Sequence, residues 1–123
     1  MKVALISPRG NLSKNKELSD FWNKSLEVFG YRSSLTGFSS NLLIIAALTP
    51  DSYDVEFIDE NFDKIDFDKG YDLVAITSMT QQAVRAYEIA DDFRSRNVKV
   101  VIGGIHPTVL PNEAIEHADT VVI

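Results

Sequence analysis

Apolar positions along the chain recur in two kinds of block, and the blocks alternate. "VALIS" (3–7) is a short unbroken apolar run, the pattern of a strand buried on both faces of a parallel sheet. "YDVEFID" (53–59) alternates and reads as a second strand, "YDLVAITS" (71–78) as a third, "VKVVIGG" (98–104) as a fourth and "DTVVI" (119–123) as a fifth. Helical stretches lie between them. Ser39 and Ser40 can cap a helix over "NLLIIAAL" (41–48), which Thr49-Pro50 stops; it is apolar nearly all round, so burial is expected. Thr80 can cap a helix over "QQAVRAYEIADDFRSR" (81–96), where Ala83, Ala86, Tyr87, Ala90 and Phe93 fall at helical spacing and Asn97 suits the left-handed turn after it. "PNEAIEHA" (111–118) opens with a first-turn proline and reads as a short helix.

Strands alternating with helices at this spacing predict an α/β fold, a doubly wound parallel sheet of five strands, Rossmann-like, in the flavodoxin-like order 2-1-3-4-5. Two segments break the rhythm. The stretch between the first strand and its helix is far longer than the roughly 2–6 residues usual in such units. It carries Phe21, Trp22, Phe29, Tyr31 and Phe38, and "SDFWNKSLEVFG" (19–30) reads as an amphipathic helix closed by Gly30, serving as a local cap or as a lid. The acids of "ENFDKIDFDKG" (60–70) miss the alternating spacing and terminal glutamate of a calcium loop, so this segment reads as a solvated linker.

Composition narrows the function classes. With 123 residues and 45% hydrophobic content the chain suits one domain with its own core. It contains no cysteine, which excludes disulfides, thiolate metal sites, iron–sulfur ligation and a cysteine nucleophile within it. A net charge of −6 argues against a nucleic-acid partner. The longest apolar run (42–48) is far short of the ~20 residues that span a bilayer, and the N-terminus has no signal-peptide core, so a cytoplasmic protein is expected.

Ligands of doubly wound sheets bind beyond the carboxyl ends of the strands, near the switch point between the first and third. The candidate binding residues are therefore Pro8, Arg9 and Gly10 after the first strand, Ser78, Met79 and Thr80 after the third, and Gly103, Gly104, Ile105 and His106 after the fourth. No phosphate-binding glycine motif and no nucleophile elbow occurs, and the acids of a phospho-receiver are missing at Ser7-Pro8 and Thr77-Ser78. What remains is a strand edge of small residues and hydroxyls with a shallow wall at the glycine pair, suited to a large flat ligand. No catalytic residue and no metal ligand stands out.

The stretch from "AITSMTQQ" to "VKVVIGGIHPTVLPNEAIEHADTVVI", together with "LLIIAALTPDSYDVEFIDE", resembles the N-terminal cobalamin-binding domain of cobalamin-dependent radical SAM enzymes. The resemblance rests on Ser78 after the third strand, Gly103-Gly104 with His106-Pro107, and Ala118-Asp119 before the fifth strand. It implies a Rossmann-like domain that holds cobalamin at the strand ends, with the nucleotide tail against the glycine pair, where a Cβ would take its space. The motif D-x-H-x-x-G, whose histidine ligates cobalt in mutases and methionine synthase, is absent from "SPRGNL", so histidine ligation from that loop is excluded. His106, before a proline, reads as a loop or capping residue rather than a ligand, and His117 as a helix-end or surface residue.

The same resemblance implies that the radical SAM barrel, with its S-adenosylmethionine and 4Fe-4S cluster held by cysteines, lies in cis outside this chain, in a parent that performs methyl transfer or ring-forming chemistry. The chain then reads as a domain fragment, residues 1–123, not catalytic alone. Its fifth strand is expected to expose an apolar face, with homodimers of the isolated chain as one outcome. The alternative is a flavodoxin-like flavin binder or a receiver-like interaction module on the same fold. The parent's substrate would be chosen elsewhere.

Overall fold

In the computed structural model, which describes residues 1–10 and 40–123, the strands β1 (Lys2–Ser7), β2 (Asp54–Asp59), β3 (Leu73–Thr77), β4 (Lys99–Gly103) and β5 (Thr120–Val121) form one parallel sheet in the order β2-β1-β3-β4-β5. This is the predicted flavodoxin-like topology. The helices are α1 (Ser40–Leu48), α2 (Ala83–Ser95), α3 (Ile105–Val109) and α4 (Pro111–His117), and a 3-10 turn at Thr80–Gln82 leads into α2. The helix expected over 19–30, the aromatic residues of that segment and the cap at Ser39 lie outside the described residues.

The register aligns one row of branched side chains across the sheet, Ile58 beside Ile6, Ile6 beside Ile76, Ile76 beside Ile102 and Ile102 beside Val121. Alternation sends this row to one face, where it packs with Ala4, Val74 and Val100 against Ala86, Ile89, Ala90 and Phe93 of α2 and Ala114 of α4. Small alanines let α2 approach the sheet closely, and Phe93 fills the space at its far end. That ring lies 4.8 Å from the Phe67 ring and 6.0 Å, edge-on, from the Tyr71 ring. The "linker" 60–70 thus does more than span a gap, since Ile65 and Phe67 pack on the core.

The opposite face is thinner. Val3 and Leu5 are buried there with Leu42 of α1, and Val55, Phe57, Leu73 and Ala75 pack against them. Burial all round was expected for α1, and the structure corrects it: Leu42 is buried while Leu43, Ile44, Ile45 and Leu48 are exposed, because one stripe of the helix meets β1 and β2. The fifth strand is also shorter than its apolar run. The Val122 amide still donates to the Ile102 carbonyl at 2.9 Å, but the Val122 and Ile123 side chains are exposed.

Two local devices explain sequence features noted above. Asn97 adopts φ 61° in the turn between α2 and β4. Asp119 ties the start of β4 to the approach to β5, its carboxylate accepting from Lys99 Nζ at 2.7 Å and from the Val100 amide at 3.0 Å. Those bonds, the Lys99 one first, hold the Asp119 carboxyl below its ordinary range.

Phe93→Ala removes a fully buried ring from the larger core, so urea unfolding should show a loss of about 3–5 kcal/mol.

Candidate functional site

The three strand-end loops lie along one edge of the sheet, and backbone contacts join the second to the third. The Ser78 amide donates to the Gly103 carbonyl at 2.9 Å, and the Ser78 carbonyl accepts from the His106 amide at 3.0 Å. The chain after β3 and the chain after β4 therefore lie almost in contact. Gly104 makes this possible. It has φ 108°, which favours glycine, and a Cβ there would stand 2.8 Å from the Ser78 carbonyl oxygen and 2.9 Å from its nitrogen. The neighbouring backbone therefore requires glycine at 104 by itself.

Gly103 is different. A Cβ at this position would meet the Val122 side chain at 3.4 Å, an ordinary contact, and its backbone carries no such strain. Its missing side chain opens onto a cleft of about 230 Å³ between α1 and the sheet. Asn41, Leu42 and Ile45 line it from α1, Ala75 and Thr77 from β3, Val101, Gly103 and Gly104 from β4 and the turn after it, and Val122 from the chain after β5. Asn41 Nδ2 donates to Thr77 Oγ1 at 2.9 Å and closes the polar end of this otherwise apolar slot. Pockets that hold a whole drug-sized ligand start at roughly 300 Å³. The slot therefore suits one flat apolar end of a larger molecule.

The other candidate residues divide by exposure. Met79, Thr80, Arg9 and Ile105 present their side chains to solvent at the strand edge, with Ile105 60% exposed, whereas Pro8 and Ser78 are buried in the floor. The Ser78 hydroxyl donates to the Met79 carbonyl at 3.1 Å. Gly10 is half-buried near Gln81. Arg9 is tied down by its backbone, the amide donating to Glu60 at 3.1 Å, and the same carboxylate accepts from Nε and Nη2 of Arg85 on α2. Thr80 does not cap α2 as expected. Its residue opens the 3-10 turn, and the capping group is the Gln82 side chain, whose Oε1 accepts from the Met79 amide at 3.1 Å.

His106 is buried rather than looped into solvent, because residues 105–109, where the sequence predicts a loop, form the short helix α3. Proline is tolerated at 107 since the first turn of a helix has no intrahelical partner for its amide. The imidazole Nε2 lies 3.0 Å from the Tyr87 hydroxyl and 3.2 Å from Glu113, and Nδ1 lies 3.4 Å from Thr80 Oγ1. Burial and the Glu113 carboxylate push the Tyr87 hydroxyl up to about 12. Bonds from His106 first and Tyr87 second hold the Glu113 carboxyl below its usual range. His117 stacks on the Tyr87 ring at 4.2 Å and bonds Asp91 at 2.8 Å. Both histidines are thus engaged inside the α2–α4 layer. No group of side chains able to hold a metal ion occurs among the described residues, and no described helix is long and apolar enough to cross a membrane.

A doubly wound sheet with joined strand-end loops and an apolar slot beside a strand-end glycine defines a cofactor- or ligand-binding domain of the flavodoxin-like class. The chain belongs to the B12-binding domain family, which matches residues 32–123. It is 49% identical over 87 residues to a bacteriochlorophyllide d C-8(2)-methyltransferase of Chlorobaculum tepidum and 45% identical over 84 residues to a bacteriochlorophyllide d C-12(1)-methyltransferase of the same organism. These matches cover 70% and 67% of this chain but 19% and 18% of the relatives, so the chain spans about a fifth of their length. No solved structure matches it significantly. Family membership implies cobalamin and favours it over the flavin and receiver alternatives.

Two outcomes follow from the geometry. Gly104→Ala should lower the unfolding midpoint through its φ and its collision with Ser78, while Gly103→Ala should leave the midpoint nearly unchanged. Glu113 has a folded-state carboxyl value below its unfolded one, so its contribution is present above about pH 4.3 and is lost as pH falls through the folded value. The stability difference between wild type and Glu113→Gln should accordingly be open at neutral pH and close in acid, as read by thermal unfolding across pH.

Proposed function

We propose that this chain is the cobalamin-carrying domain of a radical SAM methyltransferase, and that it seats the planar base of the cofactor's nucleotide tail in the slot between α1 and β3–β4. The observation that carries this is the slot itself: apolar, too small for a whole ligand, and left open by the absent Cβ of Gly103. A cobalamin has the matching shape, one flat apolar base at the end of a tail below a broad ring. The exposed Met79 and Ile105 at the strand edge offer apolar contact to that ring, and the Thr80 hydroxyl and the Arg9 side chain offer hydrogen bonds to its amides. When bound, cobalamin supplies cobalt-centred methyl-transfer chemistry. The chain's own part is to bury the tail, exclude water from it and hold the ring toward the catalytic domain.

Neither described histidine is free to serve cobalt, since His106 and His117 face Tyr87 on the opposite side of the sheet from the slot. The radical SAM barrel, its S-adenosylmethionine and its 4Fe-4S cluster belong to another part of the parent, because this chain supplies no cysteine. The relatives' names support a chlorin-type substrate for that parent. Two relatives that differ in the position methylated are similarly close to this chain, which favours a cofactor-holding role for the domain over one in choosing the position.

The test is retention of hydroxocobalamin after desalting, read by absorbance. Wild type should keep the cofactor, and its Co(II) form should give an electron paramagnetic signal without nitrogen ligation. Gly103→Leu, which fills the slot, should lose the colour while keeping the wild-type circular dichroism. A folded wild type that emerges colourless, or a Gly103→Leu variant that stays coloured, would overturn the reading.

A further inference from the structure

Gln82 is 2% exposed and spends both ends of its amide on two different loops. Its Oε1 accepts from the Met79 amide at 3.1 Å, and its Nε2 donates to the Pro8 carbonyl at 2.5 Å. The sheet does not require this bridge. β1 and β3 are already paired along their length, from Val3 beside Leu73 to Ile6 beside Ile76. A leucine would fill the same volume in the core without the cost of burying an amide. What the amide adds is a fixed spacing between the chain leaving β1 and the chain leaving β3, the two sides of the switch point. A primary amide accepts at one end and donates at the other at every pH in the physiological range.

We propose that Gln82 is a positioning residue that sets the spacing of the Pro8–Gly10 and Ser78–Thr80 loops, and that cobalamin affinity depends on its bond to the Pro8 carbonyl. The affinity part rests on the cofactor reading above; the loop-spacing part does not. Replacing Gln82 by Glu keeps the size and the acceptor for Met79. It turns the other oxygen, ionised, against the Pro8 carbonyl. Protonation of that carboxyl restores a donor, and burial raises the pH at which this happens.

The experiment is the pH profile of Gln82→Glu between pH 5 and 8, with hydroxocobalamin titration for affinity and amide nuclear magnetic resonance of the cofactor-free chain for loop spacing. At pH 8 the variant should bind about tenfold more weakly than wild type, the scale of one lost hydrogen bond. The deficit should close at pH 5, while wild type stays flat. In the cofactor-free chain the Arg9 and Gly10 amide shifts should depart from wild type at pH 8 and return at pH 5. Gln82→Met, which can neither donate to Pro8 nor titrate, should show the loss at both pH values, and it serves if the Glu variant fails to fold. Wild-type affinity in the Met variant, or a Glu-variant deficit independent of pH, would overturn the proposal. If wild type binds no cobalamin, the cofactor reading falls, and Arg9 and Gly10 shifts that stay at wild-type values in either variant would separately overturn the loop spacing.

Discussion

The contact on which the binding edge depends is the approach of Gly104 to Ser78. Two parallel strands ordinarily diverge once their ladder ends, because side chains push the departing loops apart. Here the ladder continues one step past the strands, Ser78 donating to Gly103 and accepting from His106, and it does so because residue 104 has no side chain and a backbone of positive φ. The chain after β4 can then turn at once into α3, which brings His106 under the loop of Ser78–Thr80. Displacing this contact would move the loops after β3 and β4 together.

The two faces of the sheet are used differently, and the difference suits the function. Toward α2 and α4 the sheet is packed by alanines, branched residues and Phe93, and its polar members are paired, so this side supplies the rigid reference for the loops. Toward α1 a smaller cluster covers the sheet, and the slot opens beyond it. The proposed seat for the cofactor's tail uses this apolar, incompletely filled face.

Much of the fold was legible because parallel strands buried on both faces are written as unbroken apolar runs, and because α2 shows its period plainly in Ala83, Ala86, Ala90 and Phe93. The order of strands followed from right-handed crossovers, and the loops that gather at the site followed from the order. Less legible were elements defined by partners rather than by period. Residues 105–109 carry too few positions for a helical pattern, and the proline within them reads as a breaker. Gln82 gave no signal, since a glutamine in the first turn of a helix is ordinary until its two carbonyl and amide partners are known. His106 and His117 looked peripheral because the stack on Tyr87 joins residues from two helices.

By itself the sequence determined the architecture and, through "GGIHPT" and its neighbours, the cobalamin-binding family. These are properties of local pattern and short motifs, which need no knowledge of distant contacts. Tertiary structure decided which glycine serves the backbone and which opens the slot, that the outer face of α1 is exposed despite its apolar character, and that one buried amide spans two loops. Each of these depends on what stands opposite a residue across space. A sequence records the residue but not its neighbour.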